Sequence, residues 1–537
     1  MKRANLFFAL LAAAPVLVDA TGQSGTTFEH NCSQLLHSFH APDTKVLLAQ
    51  YVAKGANVTF PHADPTCPQF VISLADMCRL RMNVTTSSTS SVIVEAFMPT
   101  SWTSKGKRFL MTGNGALGGC LGYGDMAFGT SLGFAAVGHD TGHTGDTAAP
   151  FLNHPQVVED FVWRSIWVAG KIGKQAVNYF YSVSIKKSYY MGCSLGGRQG
   201  LKIAQDFPAE YDGIIAASPA HDNANLLGWE ANLYTITGPP GSPTWLNLSH
   251  WNAVHQMVIH QCDWIDGVLD KVLEDPTKCR PRPEAILCAA GTTGDSCLTP
   301  TQADTVRKFY SPMYGNNGRF IYPRNNPLTR EFLGFAVQYG GVPSFISQGW
   351  YSDALFNDPS WNIPDNFNLS VVDYDASVDL FGISTNKTDL THMKNNGTKL
   401  MVYHGLGDSL ISSEHTFLYY DSVRRDMNTN LDPFFRFYPI SSMDHCYTGE
   451  GPWYVGGPVQ YSVDGALSID TNNSVLMRMV DWVEGGTAPD SLLGYTLVNG
   501  TVHGSRYHCR YPYQTVYKGK GLDPNSPSSW TCDDHMI

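Results

Sequence analysis

The sequence predicts an α/β fold: a mainly parallel sheet with helices on both faces, broken by one large insertion. Three observations predict it. Strand-like apolar runs alternate with helix-like segments before residue 219, and again after residue 395. Between them the alternation is lost among Pro, Gly, Trp and Asn clusters and several cysteines. Finally, Ser188-Tyr-Tyr-Met-Gly-Cys-Ser-Leu-Gly-Gly197 reads as a strand, a sharp turn and a helix start. Gly192, Ser194 and Gly196 form the G-x-S-x-G pattern of a serine lifted clear of a sheet.

In chain order, residues 21–90 form an N-terminal layer in which Phe70-Val-Ile-Ser is a short strand. Ser91–Met98 is a clearer strand, stopped by Pro99. Arg108–Thr112 follows and runs into Gly113–Gly119. That loop can offer N–H groups to a substrate oxygen, and it lacks the Lys-Ser/Thr ending of a phosphate loop. Phe134–Val137 is the next strand. His139, Asp140, His143 and Asp146 beyond it lack the ligand spacing of zinc enzymes and read as a rim or surface loop. Val157–Tyr181 is one long amphipathic helix. The serine strand and helix come next, then the strand Tyr211–Ala217. After the insertion come the strand Lys399–Tyr403, the helix Ser412–Arg425 and the strand Phe434–Tyr438, ending near Pro439. Val475–Val483 begins a closing helix. The expected division is therefore 21–218 with 396–537 for the sheet and 219–395 for a lid over its C-terminal edge.

Ser194, Asp408 and His445 occur in that order, each where a strand has just ended. This is the order and placement of the triad on an α/β-hydrolase sheet. His445 would take the serine proton and return it to the leaving oxygen, while ionised Asp408 holds the imidazole tautomer. The N–H of Leu195 and one from the Gly113–Gly119 loop, taken as Gly118, would hold the oxyanion. His404 also sits at a strand end, but Asp408 is better placed as orienter and His445 as base. Cys193 precedes the serine and Cys446 follows the histidine. A bridge between them would fix the approach of the two groups; alternatively each pairs elsewhere or packs as a small apolar side chain.

Met1-Lys-Arg, apolar Leu6–Val18 and small Ala20 read as a signal peptide, residues 1–20. The twelve cysteines then suit an oxidising compartment, and the protein is expected to be secreted. Acceptor sequons at Asn31, Asn57, Asn83, Asn247, Asn368, Asn386, Asn396 and Asn472 agree with glycosylation. A net charge of -11 argues against nucleic acid or an anionic membrane as partner. No later stretch has the length of a membrane span, and no residue pattern suggests an organic or redox cofactor. Asp263, Asp266 and Asp270 surround Gly267, and the carbonyls of Val268 and Val272 could complete a structural calcium sphere. The alternative is an exposed acidic helix end.

Gly192-Cys-Ser-Leu-Gly196, His404-Gly-Leu-Gly-Asp408 and Asp444-His-Cys446 together resemble the fungal tannase and feruloyl esterase family, over roughly Ser24 to Cys532. The resemblance implies the triad Ser194, Asp408 and His445 on an α/β-hydrolase domain with a large lid. It implies the bridge Cys193–Cys446 and the pairs Cys32–Cys78, Cys67–Cys120, Cys262–Cys279, Cys288–Cys297 and Cys509–Cys532. It places the family's lid calcium on Asp263, Asp266, Val268, Asp270 and Val272. Phenolic esters are the implied substrates, either hydroxycinnamates on plant polysaccharide or small conjugates, or gallates. The chain resembles the feruloyl esterase branch more than the tannase branch. A serine peptidase on the same fold and an inert carbohydrate-binding protein are the remaining readings. A monomer or homodimer is expected.

Overall fold

Nine strands make one sheet: β1 Thr44–Val52, β2 Met77–Thr85, β3 Ser91–Pro99, β4 Arg108–Thr112, β5 Ala135–His139, β6 Lys187–Cys193, β7 Gly213–Ala217, β8 Lys399–Gly405 and β9 Phe435–Ile440. Their spatial order is β1-β2-β3-β5-β4-β6-β7-β8-β9. From β5 to β9 every pairing is parallel, whereas β1, β2 and β3 add an antiparallel edge. The computed structural model describes residues 25–61, 63–327, 334–461, 471–519 and 521–534. The expected signal peptide, 1–20, lies outside the described residues.

The central strands are apolar on both faces because successive side chains point to opposite sides. Phe109, Met111, Tyr190, Ile214, Ala216, Leu400 and Val402 enter one core, with the helices Ser165–Tyr181, Leu195–Asp206 and Ser413–Met427. Leu110, Tyr189, Met191, Ile215, Ala217, Met401 and Tyr403 enter the other, with Phe128 and the helix Val475–Gly485. Each fully buried side chain of this size contributes roughly 1.5–3 kcal/mol.

The insertion between β7 and β8 is mostly helical and has a core of its own, built on Leu226, Trp229, Trp251, Val258, Phe309 and Tyr339. A separate apolar cluster joins it to the sheet: Leu117, Phe161 and Leu195 meet Leu227, Trp350 and Ile383.

Several elements differ from the expected ones. The helix over 157–181 contains a π turn, Asp160–Arg164. Two carbonyls in that turn, of Phe161 and Val162, accept hydrogen bonds from the buried Arg198 guanidinium at 3.2 and 3.0 Å. Pro439 lies inside β9, paired in register with His404. β9 is an edge strand, where a missing N–H is tolerated. The tail adds two antiparallel hairpins, Ser491–Val498 with Thr501–Cys509 and Gln514–Tyr517 with Trp530–Asp533. The loop of His139 and His143 is buried, not superficial. Burial pushes the two imidazoles down to about 3 and about 4, so both are neutral. The loop bridges Gly145 to Gly119 and so buttresses the Gly-rich loop.

Candidate active site

Ser194 sits between β6 and the helix Leu195–Asp206 with φ 63° and ψ -121°, a strained conformation for a residue with a side chain. The turn is possible because its flanks are glycines. A Cβ at Gly192 would lie 2.7 Å from the Gly196 carbonyl carbon, and one at Gly197 would collide with the Ala217 carbonyl oxygen. The first N–H groups of the helix, beginning with Leu195, have no carbonyl of a preceding turn to receive them. They give the serine end of the helix a positive pole.

Asp408 lies three residues beyond β8 and is fully buried. One of its oxygens accepts His445 Nδ1 at 2.8 Å and His404 Nε2 at 3.1 Å. The other accepts the backbone N–H groups of Leu410 at 2.9 Å and Ile411 at 3.0 Å. Burial opposes ionisation, but the charge of His445 and the imidazole hydrogen bonds outweigh it. The carboxyl is held well below the usual carboxylate range. His404 is itself fixed by Thr416 Oγ1, 2.7 Å from its Nδ1. It supports Asp408 and does not itself line the cavity. Asp444 turns away from its neighbour and accepts from Thr448 Oγ1 at 3.1 Å.

Ser194 and His445 line one cavity. The Cys193–Cys446 disulfide joins their neighbouring residues across a sequence separation of 253, with the Cα atoms 6.0 Å apart. The other five bridges implied by the resemblance also form: Cys32–Cys78, Cys67–Cys120, Cys262–Cys279, Cys288–Cys297 and Cys509–Cys532. The cavity wall comes from the sheet side, with Leu117, Phe161 and Arg198, and from the insertion, with Leu227, Ile346 and Trp350. Its free space is about 50 Å³, enough for a few waters. A cavity of about 950 Å³ lies against the helix Ser413–Met427 and the tail. It touches none of Ser194, Asp408 and His445, so here size is a poorer guide than chemistry.

The second oxyanion donor needs correction. Gly118 spends its N–H on the Gly115 carbonyl at 2.8 Å within a tight turn. Ala116 and Leu117 are the residues of this loop that reach the cavity. Asn114 anchors the loop. Its backbone N–H donates to Gln199 Oε1 at 3.1 Å, and its side chain donates to the Cys120 and His139 carbonyls at 2.9 and 2.6 Å.

The acidic loop of the insertion folds on its own backbone. Asp263 accepts from Lys271 N at 2.7 Å, Asp266 from Val268 N at 3.0 Å, and Asp270 from Val272 N at 3.1 Å. Arg506 pairs with Asp270 at 2.8 Å and also with Glu274. Burial, with Glu274 and Asp270 close by, raises the Asp266 carboxyl to about 7. Among the described residues no three His, Cys, Asp or Glu side chains converge into a metal cluster. No helix among them is long and apolar enough to cross a membrane.

The sequons differ in exposure. Asn57, Asn368, Asn386, Asn396 and Asn472 are exposed, whereas Asn31, Asn83 and Asn247 are half-buried. Asn247 and Asn368 cap helices with their side chains. A further sequon, Asn499-Gly-Thr, was readable from the chain and lies exposed at a hairpin turn.

The family model described as "Tannase and feruloyl esterase" matches residues 78–532. The chain belongs to the tannase and feruloyl esterase family. A protein of Aspergillus terreus named "Probable feruloyl esterase B-2" is 43% identical over 515 residues, covering 94% of this chain and 95% of the relative. An esterase crystal structure from Aspergillus oryzae superposes with a TM-score of 0.90 at 40% identity, over 94% of this chain and 100% of the other. That of feruloyl esterase B from Aspergillus oryzae does so with 0.89 at 37%, with the same coverage. Family membership and the strand order together make the sheet an α/β-hydrolase core with a helical insertion.

Proposed function

We propose that the protein is a secreted serine esterase that cleaves hydroxycinnamate esters, carried on plant polysaccharide or on small conjugates. The observation that carries it is the buried Asp408–His445 pair facing the cavity of Ser194, in a chain at least 37% identical to the feruloyl esterases compared with it. Ser194 Oγ attacks the ester carbonyl while His445 takes its proton. The tetrahedral oxyanion is held by the Leu195 N–H and by an N–H from Ala116 or Leu117. His445 then protonates the departing alcohol, and water, deprotonated by the same imidazole, clears the acyl-serine. Asp408 stays ionised and stabilises the imidazolium. The free space of the cavity is small, so entry of an acyl ring requires insertion side chains such as Leu227 and Trp350 to move. The insertion, 219–395, acts as the lid.

Six disulfides and exposed sequons support an extracellular protein. The acidic loop supplies a donor set suited to Ca2+: the carboxylates of Asp263, Asp266 and Asp270 with the carbonyls of Val268 and Val272. The excess of buried negative charge there supports the fit. The ion would neutralise the loop and stabilise the fold, with no step in ester cleavage.

Methyl ferulate, caffeate, sinapate and gallate, assayed beside a peptide substrate, test the reading. Hydroxycinnamates should be cleaved fastest, and Ser194→Ala should abolish turnover. Preference for the gallate would move the protein to tannin acyl hydrolysis. Undiminished activity after Ser194→Ala would refute the mechanism.

A further inference from the structure

The catalytic cavity is apolar except at a few places in its wall, and one of these is costly. Glu230, on the helix Asn223–Thr237 of the insertion, is only 3% exposed and lines the same cavity as Ser194 and His445. Carboxylates are rarely buried without purpose or partner. Its Oε2 accepts from Ser344 Oγ at 2.8 Å and Ser347 Oγ at 2.7 Å, and no cation pairs with it directly among the described residues. Burial raises its carboxyl to about 7, against the opposing pull of those hydroxyls and of the nearby His445 charge.

Two amides share this wall. Gln338 is 1% exposed and donates through Nε2 to the Leu410 carbonyl at 2.9 Å, which leaves its Oε1 buried and without a hydrogen-bond partner. Asn223 is 8% exposed, and its Nδ2 is likewise buried and unpartnered. An acceptor and a donor left empty in a folded interior cost free energy unless something fills them. A phenolic hydroxyl is both donor and acceptor, and suits such a set. The rest of the wall, with Leu227, Ile346 and Trp350, suits the ring that carries it.

We propose that Glu230, Gln338 and Asn223 form a polar end to the acyl pocket that recognises the phenolic hydroxyl of the substrate. Glu230 or Gln338 Oε1 accepts the phenol O–H, and Asn223 Nδ2 donates to its oxygen. The three residues are specificity determinants; the bond-breaking chemistry belongs to the triad. This reading rests on the proposed esterase function. It adds why a hydroxylated acyl group should be preferred to a bare one.

Methyl 4-coumarate and methyl cinnamate differ by that hydroxyl alone, so the ratio of their kcat/KM values reads the contact and is insensitive to the fraction of enzyme that is folded. The wild type should favour the coumarate. Glu230→Leu should shrink that preference about ten- to a hundredfold, the worth of a hydrogen bond to a charged group. Asn223→Ala should shrink it less. If both variants keep the wild-type ratio, the proposal is overturned. Equal losses on the two esters in Glu230→Leu would also overturn it, because a carboxylate acting through His445 cannot sense the hydroxyl. Failure of the wild type to cleave either ester would instead sink the esterase reading itself.

Discussion

Removing the Cys193–Cys446 bridge separates two roles that it could play. The double variant Cys193→Ala with Cys446→Ala leaves no free thiol from the pair. The bridge closes a span of 253 residues, and the chain-entropy relation for a loop of that length gives about 5 kcal/mol. The bridges Cys262–Cys279 and Cys288–Cys297 lie inside the span but shorten it little, with separations of 17 and 9. Native bridges more often contribute about 2–5 kcal/mol, so the melting temperature should fall clearly. The catalytic effect is a separate quantity. Ser194 is held by β6 and its helix, but His445 stands in a loop with Cys446 at φ 67° and Thr448 at φ 62°. Freed from the bridge, that loop can drift by about an ångström, which costs roughly a hundredfold in kcat with little change in KM. Steady-state kinetics well below the variant's melting point measure this. A folded double variant with wild-type kcat would show that the bridge only staples the fold and does not position the histidine.

Asp408→Asn should keep the fold but lower kcat by about 10⁴-fold, because the amide can hold the wrong imidazole tautomer; kinetics at neutral pH measure it. A chelator should lower the melting temperature while leaving the rate at room temperature unchanged, and metal analysis of dialysed protein should find calcium. An unchanged melting curve with no bound metal would dismiss the ion. Stability should also fall as pH rises from about 4 to about 7. Asp125, Asp140 and Asp375 each have carboxyls raised to about 7 by burial, so the folded state binds protons that the unfolded chain has released. Asp408, with its depressed carboxyl, works oppositely, and its contribution is lost only in strong acid. Melting curves across this range check the slope, and Asp125→Asn should flatten it.

What the sequence made legible follows from where its information lies. The candidate triad of Ser194, Asp408 and His445 was readable because each follows a strand apolar on both faces, a pattern that short polar segments do not imitate. β2 was not legible because Arg79 and Arg81 interrupt its apolar run; one face of the strand carries them to the buried Glu95. The tail hairpins carry Thr, Tyr and His on half-exposed faces and show no such run. Gly118 was the natural guess for an oxyanion donor, yet which N–H is spent inside a turn depends on backbone angles that composition does not encode. Glu230 was invisible for a related reason. A glutamate on a helix usually faces water, and its burial depends on Ser344 and Ser347, more than a hundred residues away.

On the proposed function, the same division would let one set of catalytic residues serve different acyl groups. Ser194, Asp408 and His445 hang from β6, β8 and β9, whose register is fixed by backbone hydrogen bonds and by two apolar cores. Their geometry is therefore set mainly by the sheet and only secondarily by the insertion. Glu230, Gln338 and Trp350 belong to the insertion, with Glu230 on a helix that packs partly in the insertion's own core and partly in the cluster shared with the sheet. The side chains proposed to shape the acyl pocket can thus change while the strands that carry the candidate triad keep their register. One polar contact leads from the insertion to the triad aspartate: Gln338 holds the Leu410 carbonyl, and Leu410 donates its N–H to Asp408. A substitution at Gln338 should therefore disturb both selectivity and turnover, whereas one at Trp350 should move selectivity alone. Parallel kcat and KM measurements on ferulate and gallate esters for Gln338→Ala and Trp350→Ala would expose that asymmetry, and equal effects on kcat in both variants would contradict it.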